Sequence, residues 1–443
     1  MDNIQEAMQS GYFNYGVNEN IDIYKGDIFI IKGIDKYKCY GQVYYKMNTK
    51  TSINFNCKFY SDPFESIKLM NSEQCYIEIP GFEKVKVGIS KLGIGEINDG
   101  YICGYLNTNE NIKSDYFDFG IINFNNIYGL PIKHESKYYR GRFEFEIGDF
   151  VVTIDKRADY EKELYEELRY EEGSLMTHIG RIQRKDNHRI HIKDIENILN
   201  NIEYTLMFMA GRYVTIFNIN GYVENNKVYE RWQNKKTTPF KKFSTWISSM
   251  NDSNEFQQYF YLMCNKLNDK YIGKVLKNSI EWYIEICGDT TIENRIVSVQ
   301  IALESLAYVV LVEGDILKEG KKITKGVFNS KKASEKIRML LDVCNIKYGK
   351  DDIKIINETL KFSIDDGPHI ITDFRNSIVH PSKKDNYSGM ETKDLWKILQ
   401  IGTRYLELVM LFIIGYKGHY TNRLESRWFG DTECVPWAVY KNN

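Results

Sequence analysis

Residues 373–381, Asp-Phe-Arg-Asn-Ser-Ile-Val-His-Pro, place an arginine and a histidine five positions apart. The Arg375 guanidinium is a permanent, forked cation that suits a phosphate group. His380 can exchange protons near neutral pH, because an unperturbed imidazole has a pKa of roughly 6.5. A pair of such histidines could cleave RNA without a metal: one takes the proton of the attacking ribose 2′-hydroxyl, and the other protonates the departing 5′-oxygen. Arg375 would stabilise the negative charge that develops on the phosphate.

The local sequence predicts a short helix around this pair. We expect it to start near Phe374, with Thr372 or Asp373 as the N-cap, which puts Arg375 in the first turn. Pro381 disfavours helical geometry at the preceding residue and ends the helix at His380. At 100° per residue Arg375 lies about 140° around the helix from His380, so the two converge only if a second copy pairs with the first about a two-fold axis. The alternative is structural: Arg375 forms a surface ion pair and His380 caps the helix end.

Composition limits the other chemistries. The chain has 443 residues, a net charge of −1 and eight cysteines, none of which forms a Cys-x-x-Cys pair. Scattered cysteines argue against a zinc ribbon or a disulfide framework and favour the reducing cytoplasm. The N-terminus lacks a signal pattern, and the longest apolar run, 408–414, is far short of the roughly 20 residues that a membrane span needs. We therefore expect a soluble cytoplasmic protein. Because the sequence has no metal-ligand spacing and no phosphate-binding glycine loop, we also expect it to use no metal or other cofactor.

The first half of the chain has the period of strands. From about 20 to 155, apolar and polar residues alternate in short runs that Gly, Asn, Asp and Pro separate, so the sequence predicts an antiparallel sandwich or curved barrel. Further elements follow: a charged helix (160–169), a strand (174–184), a helix (195–206) and strands at 214–218 and 222–229.

The second half has the period of helices. Apolar residues recur at spacings of three and four over 256–267, 292–310 and 337–344, and a last long helix covers about 394–414. We therefore predict an α+β multidomain protein. An antiparallel β-rich domain, sandwich- or barrel-like, occupies 1–250, and an all-α bundle occupies 251–443; whether 1–250 forms one domain or two stays open.

The motif resembles the catalytic Arg-polar-x-x-x-His sequence of HEPN-domain ribonucleases, with Asn376 at the polar position. Its surroundings resemble the ApeA-like HEPN subfamily of bacterial anti-phage defence, in the segments Ala-Leu-Glu-Ser-Leu (302–306), Lys-Ile-Arg-Met-Leu (336–340) and 415–423. Residues 177–184 and 212–232 resemble the end of the ApeA N-terminal domain. The resemblance implies a metal-independent RNase, active as a HEPN dimer, that shuts down translation in infected cells, with Arg375, Asn376 and His380 as its catalytic residues.

Several other residues are candidates with a structural alternative. Glu304 lies beside the apolar stripe of its helix and could orient Arg375 or His380, or it could be an ordinary structural charge. A basic stretch around Lys331 and Lys332, and the pair Lys383 and Lys384 after Pro381, could contact RNA phosphates or remain solvated loops. We expect His419 and Tyr420 to pack, and His178, His188 and His191 to lie on strand or loop surfaces.

The main hypothesis is a cytoplasmic, HEPN-type endoribonuclease that acts by abortive infection. It cleaves RNA, with tRNA as the favoured substrate, and forms a homodimer whose N-terminal domain senses a phage-derived trigger. The competing hypothesis is a non-catalytic HEPN module that binds RNA or a partner protein. A third is a β-rich ligand-binding protein with a helical dimerisation domain, which a deep apolar pocket in the N-terminal half would support.

Overall fold

The computed structural model describes residues 4–48, 50–60, 69, 74–241, 244–249, 251–316, 322–349, 364–380, 387, 390–425, 428 and 430–438. Its contacts divide the chain into two compact units. The β-rich unit comprises 1–203 and 213–242, and the helical unit comprises 204–212 and 243–443. The predicted β-rich region followed by a helical region is therefore observed.

The first six strands of the β-rich unit close into an antiparallel barrel in the order β1-β2-β3-β6-β5-β4. Its interior is lined by alternate, fully buried side chains such as Ile28, Val43 and Phe55, as expected for strands whose residues point alternately in and out. Position 100 inside the barrel requires a glycine, because a Cβ there would lie 2.4 Å from the Phe55 ring. The strands are β1 Ile21–Lys32, β2 Asp35–Lys46, β3 Ser52–Phe59, β4 Cys75–Glu78, β5 Val85–Gly93 and β6 Glu96–Ile102.

The next eight strands form one antiparallel sheet in the order β7-β14-β13-β8-β12-β11-β10-β9. The helices α1 Lys162–Tyr170 and α2 Ile192–Ala210 lie between its strands in sequence. The strands are β7 Tyr105–Asn107, β8 Tyr116–Ile122, β9 Leu130–His134, β10 Lys137–Ile147, β11 Phe150–Lys156, β12 Met176–Arg184, β13 Thr215–Val223 and β14 Asn226–Gln233.

Two predictions in this region are wrong. The strand predicted at 222–229 is a hairpin, because Glu224 and Asn225 take positive φ values of 51° and 64° and reverse the chain between β13 and β14. His178, predicted on a surface, is fully buried in β12, where its Nδ1 lies 2.9 Å from the Thr177 hydroxyl. Burial lowers the pKa of His178 well below its ordinary value, with a smaller contribution from Lys156.

The helical unit is built from seven described helices and a two-stranded ribbon. Its longest apolar segment, Ile292–Glu313, has the length and composition of a membrane span, but 56% of its most apolar window is buried inside the structure, which is typical of a core helix in a soluble protein. The elements are α3 Ser253–Leu267, α4 Ile272–Cys287, α5 Ile292–Tyr308 with a π-helical end at Val309–Glu313, α6 Lys325–Ser330, α7 Ala333–Val343, α8 Gly367–Val379, α9 Thr392–Ile414, β15 His419–Tyr420 and β16 Glu433–Cys434.

The last turn of α2 belongs to the helical unit. Phe208 stacks on Trp246 with ring centres 5.4 Å apart and meets the Tyr283 ring edge-on at 5.0 Å. The indole N–H of Trp246 donates to the Phe208 carbonyl at 3.2 Å. A boundary at 250, as the sequence predicts, would therefore separate Phe208 and Trp246 from the aromatic core that they share with Tyr283.

Candidate functional site

The helix that carries the motif starts earlier than predicted. It spans Gly367–Val379, and Asp366 is its N-cap, accepting the His369 backbone N–H at 2.9 Å. The prediction of a start near Phe374 was wrong because it missed the Asp-Gly-Pro sequence at 366–368, in which proline occupies the first turn. Arg375 therefore lies in the second half of a longer helix, whereas His380 is at its C-terminal end, as expected.

The start of α8 is fixed by a charge pair. The Arg338 side chain on α7 donates from Nε and one terminal nitrogen to the two oxygens of Asp366, at 2.7 and 3.1 Å. Two parallel hydrogen bonds between a guanidinium and a carboxylate define an orientation as well as a distance. One carboxylate thus caps α8 and joins it to α7.

The two residues predicted as N-caps have other roles. The Thr372 hydroxyl donates to the Pro368 carbonyl at 2.9 Å, within the helix. Asp373 accepts a hydrogen bond from the Tyr387 hydroxyl at 2.8 Å, and the Tyr387 ring meets Phe374 edge-on at 5.1 Å. Burial, and then the Asp373 carboxylate, raise the pKa of Tyr387 above its ordinary value. These contacts fasten one side of α8 to the helical unit.

The C-terminal half of α8 carries the predicted catalytic residues, of which Arg375 is half-buried. Arg375 donates from a terminal nitrogen to the Asn376 side-chain oxygen at 3.2 Å, and Asn376 and His380 are both exposed. Within the described part of the chain Arg375 has no ion pair, and its buried Nε has no hydrogen-bond partner.

Glu304 lies on α5, which packs against α8, but its side chain points to other partners. Its carboxylate accepts from Gln300 at 2.7 Å and lies 4.0 Å from the Lys336 ammonium group. In the part of the chain that the structure describes, no contact joins it to Arg375 or His380. The predicted orienting role for Glu304 therefore has no geometric support in a single copy.

The predicted phosphate contacts divide into two pairs. Lys331 and Lys332 connect α6 to α7, with Lys332 exposed and its backbone N–H bound by Glu335 at 2.9 Å. Lys383 and Lys384 lie outside the described residues. Lys331 and Lys332 are available to solvent, as an electrostatic contact with RNA requires.

A buried charge cluster lies elsewhere in the helical unit. Arg423 donates to both oxygens of Glu407 at 2.7 and 2.6 Å, and the Tyr283 hydroxyl also donates to Glu407. The Glu407 side chain is 1% exposed and the Arg423 side chain is 8% exposed. The Glu407 carboxylate raises the pKa of Arg423 well above its ordinary value, against the effect of burial. Because each charge is satisfied inside the fold, this cluster has a structural role.

A polar cavity of about 800 Å³ in the helical unit was not anticipated from the sequence. Its lining includes the cations Lys347, Lys397 and Arg404, together with Trp396, whose side chain is 45% exposed. Arg404 is 8% exposed and donates to the Lys347 carbonyl at 3.4 Å and the Tyr420 hydroxyl at 3.3 Å. The lining also includes the carboxylates of Glu425 and Glu433, and the Tyr420 hydroxyl donates to Glu433, so the cavity carries charges of both signs.

The chain matches, over its whole length, a prophage protein of Bacillus subtilis (strain 168) described as SPbeta prophage-derived uncharacterized protein YopA, with 32% identity over 450 residues and 100% of each chain covered. The chain belongs to the YopA family. The model of the YopA central domain matches residues 109–243, and that of the YopA C-terminal domain matches residues 269–435.

These matches follow the architecture. The central-domain match covers strands β8 to β14 of the large sheet, and the C-terminal match covers the helices from α4 onward and the β15–β16 ribbon. The motif at 375–380 and the polar cavity both lie within the C-terminal match. The barrel strands precede both matched ranges. No solved structure matches the chain.

Proposed function

We propose that this protein is a metal-independent, HEPN-type endoribonuclease that cleaves cellular RNA, with tRNA as the favoured substrate. It would act in the cytoplasm as a homodimer and serve anti-phage defence by abortive infection. The observation that carries the proposal is the arrangement on α8: a half-buried Arg375 in contact with the exposed Asn376, and an exposed His380 at the helix end.

In this mechanism each side chain of the set has a separate task. Arg375 binds the scissile phosphate and stabilises its extra charge in the transition state. His380 takes the proton of the ribose 2′-hydroxyl, and the equivalent histidine of a second copy protonates the leaving 5′-oxygen. Asn376, already in contact with Arg375 at 3.2 Å, holds the guanidinium in place.

A second copy is needed because one chain contains one such histidine. The surface beside the motif suits such pairing, since Ile378 is 37% exposed and Val379 is 43% exposed between the polar residues. Apolar side chains in this position gain free energy when another surface covers them. Two α8 helices related by a two-fold axis would bring both histidines to one phosphate.

Substrate binding has support outside the motif. Lys397 and Arg404 provide cationic groups for phosphates, beside the carboxylates of Glu425 and Glu433 in the same cavity. The Arg295 guanidinium lies over the exposed Trp396 ring, 5.2 Å from its centre, and a base would stack on the remaining exposed surface of the ring. This observation also favours the second candidate function, a non-catalytic module that binds RNA through the helical unit. Catalysis by His380 is what distinguishes the two candidates.

The β-rich unit offers a place for a trigger. A cavity of about 380 Å³ lies against its large sheet, lined by residues that include Tyr12, Asp118, Asn218 and Asn220. One buried amide atom of Asn218 and one of Asn220 have no hydrogen-bond partner among the described residues. Such groups would be satisfied by a polar ligand of phage origin. The prophage origin in the relative's description supports a phage-related setting.

The test is cleavage of a labelled total tRNA pool by the purified full-length protein in EDTA. We expect wild type to produce 2′,3′-cyclic phosphate ends and His380→Ala to lose at least about 10²-fold in rate. His188→Ala is the matched control, since His188 is an exposed histidine of the β-rich unit. Equal cleavage by wild type and His380→Ala would contradict the mechanism. Binding of tRNA without cleavage by either protein would favour the binding module.

A further inference from the structure

A second group of reactive side chains lies on the β15–β16 ribbon, away from the motif in sequence. His419 and Cys434 are direct partners across the two strands, so their side chains lie on the same face of the ribbon. The His419 Nε2 atom is 3.2 Å from the Cys434 sulfur. The imidazole is therefore within hydrogen-bond reach of the thiol proton.

A carboxylate orients the other side of the imidazole. The His419 Nδ1 atom lies 2.5 Å from Glu255 Oε1, and the His419 backbone N–H donates to the same oxygen at 3.3 Å. The Asn251 amide donates to Glu255 Oε2 at 2.8 Å and to the His419 carbonyl at 3.2 Å. Glycine is required at position 418, because a Cβ there would lie 2.3 Å from the Tyr416 hydroxyl oxygen and 3.1 Å from the Glu255 carboxyl carbon.

The Cys434 environment differs from that of the buried cysteines in the same unit. Cys264 and Cys287 are buried, and burial raises the pKa of their thiols to about 12 and about 11. Those thiols are unreactive at neutral pH, since the thiolate is the nucleophile. Cys434 is only half-buried, and the His419 side chain beside it is 38% exposed. A dissolved reagent can therefore approach the thiol and its base together.

We propose that Cys434, His419 and Glu255 form a thiol acyl-transfer centre that accepts ester or amide carbonyl substrates. A nucleophile, a base within hydrogen-bond reach, and a third group that orients the base are the defining parts of such centres. Thiol–disulfide exchange would need a second thiol instead, and no Cys-x-x-Cys pair occurs in the sequence. This centre is independent of the RNA chemistry assigned to α8.

The reaction has two balanced halves. The Cys434 proton passes to His419 Nε2 as the sulfur bonds to the carbonyl carbon, and the alcohol or amine departs with the proton that His419 returns. Water then attacks the thioester, giving one proton to His419, which passes it back to the sulfur as the carboxylic acid leaves. Glu255 is a positioning residue that holds the imidazole with its Nε2 atom toward the thiol.

The test uses p-nitrophenyl acetate as the acyl donor and follows acetylation of each cysteine by mass spectrometry in the full-length protein. Cys103 is an internal reference, because it is also half-buried. We expect Cys434 to be acetylated about 10²-fold faster than Cys103, with this advantage lost in His419→Ala. The His188→Ala variant should retain it, because His188 is an exposed histidine of the β-rich unit.

Glu255→Gln tests the positioning role. It removes the carboxylate that orients the imidazole, so the rate of Cys434 acetylation should fall while that of Cys103 stays unchanged. Circular dichroism confirms that each variant is folded, and Glu255→Asp should restore part of the rate. The proposal is overturned if Cys434 and Cys103 react equally in the wild-type protein. It is also overturned if a folded His419→Ala retains the full advantage.

Discussion

Two arginines of the helical unit, Arg423 and Arg375, differ in how their guanidinium groups are hydrogen-bonded. The Arg423 side chain is 8% exposed and both of its paired hydrogen bonds run to the buried Glu407. Arg375 is half-buried, and its described hydrogen bond runs to Asn376. A guanidinium that the fold satisfies stabilises structure, whereas one that the fold leaves open is available to a ligand. The comparison predicts opposite consequences when each is removed.

The largest effect on stability should follow Arg423→Ala. The substitution leaves the Glu407 carboxylate buried without its cation, which costs about 3–5 kcal/mol of the free energy of unfolding. Denaturant unfolding of the helical unit, followed by tryptophan fluorescence, measures the loss.

The double variant Glu407→Leu with Arg423→Met is the control for this effect. It removes both charges and should recover much of the lost stability, because replacing a whole buried pair with apolar groups is far less costly than breaking it. If the single variant loses less than about 1 kcal/mol, the cluster is not the structural element that its geometry indicates.

A buried lysine of the β-rich unit, Lys156, should make the free energy of unfolding depend on pH. Lys156 is 4% exposed, its ammonium donates to the neutral Asn126 at 2.8 Å, and burial lowers its pKa to about 8. Between this value and the ordinary 10.5, the unfolded chain binds more protons at this site than the folded chain. The contribution of Lys156 to the free energy of unfolding is therefore unfavourable at pH 7 and becomes less so as the pH rises.

Lys156→Met should accordingly be most stabilising near neutral pH. The amount by which its free energy of unfolding exceeds that of wild type should fall by about 2 kcal/mol between pH 7 and pH 10. Denaturant unfolding at each pH measures this difference. Lys58→Met, at a site whose side chain is 81% exposed, is the matched control for the removal of a lysine. A constant difference for Lys156→Met would mean that its amine does not titrate in this range.

A smaller effect should follow loss of the cap on the motif helix. Asp366→Ala removes the acceptor for the His369 N–H and the partner of Arg338, which costs about 1–2 kcal/mol. Asp365→Ala is the neighbouring control, since that carboxylate is 71% exposed and pairs only with the His369 ring among the described ion pairs. Equal losses in the two variants would contradict the assignment of Asp366 as the anchor of α8.

The sequence predicted the larger features because they depend on local period. Alternation in the first half and spacings of three and four in the second half correctly separated the β-rich region from the helical region. The start of α8 could have been found as well, since Asp366-Gly-Pro is a recognisable helix beginning. The hairpin at Glu224 and Asn225 was missed because neither residue of its turn is the glycine that usually marks one.

The remaining features depend on contacts between distant parts of the chain. Tyr283 and Glu407 are 124 residues apart, and Glu255 and His419 are 164 residues apart. No spacing rule connects such pairs, so the buried cluster, the polar cavity and the Cys434 centre were not predictable from the sequence. The motif at 375–380 could be singled out because its residues share one helix.

The smallest effect on stability is expected at the motif itself, where the largest effect on activity is expected. The decisive measurement compares His380→Ala with wild type in two assays on the same preparations: tRNA cleavage in EDTA and the free energy of unfolding. We expect the cleavage rate to fall at least about 10²-fold and the free energy of unfolding to change by no more than about 0.5 kcal/mol. An unchanged rate, or a loss of activity that only follows a loss of folding, would contradict the proposed role of His380.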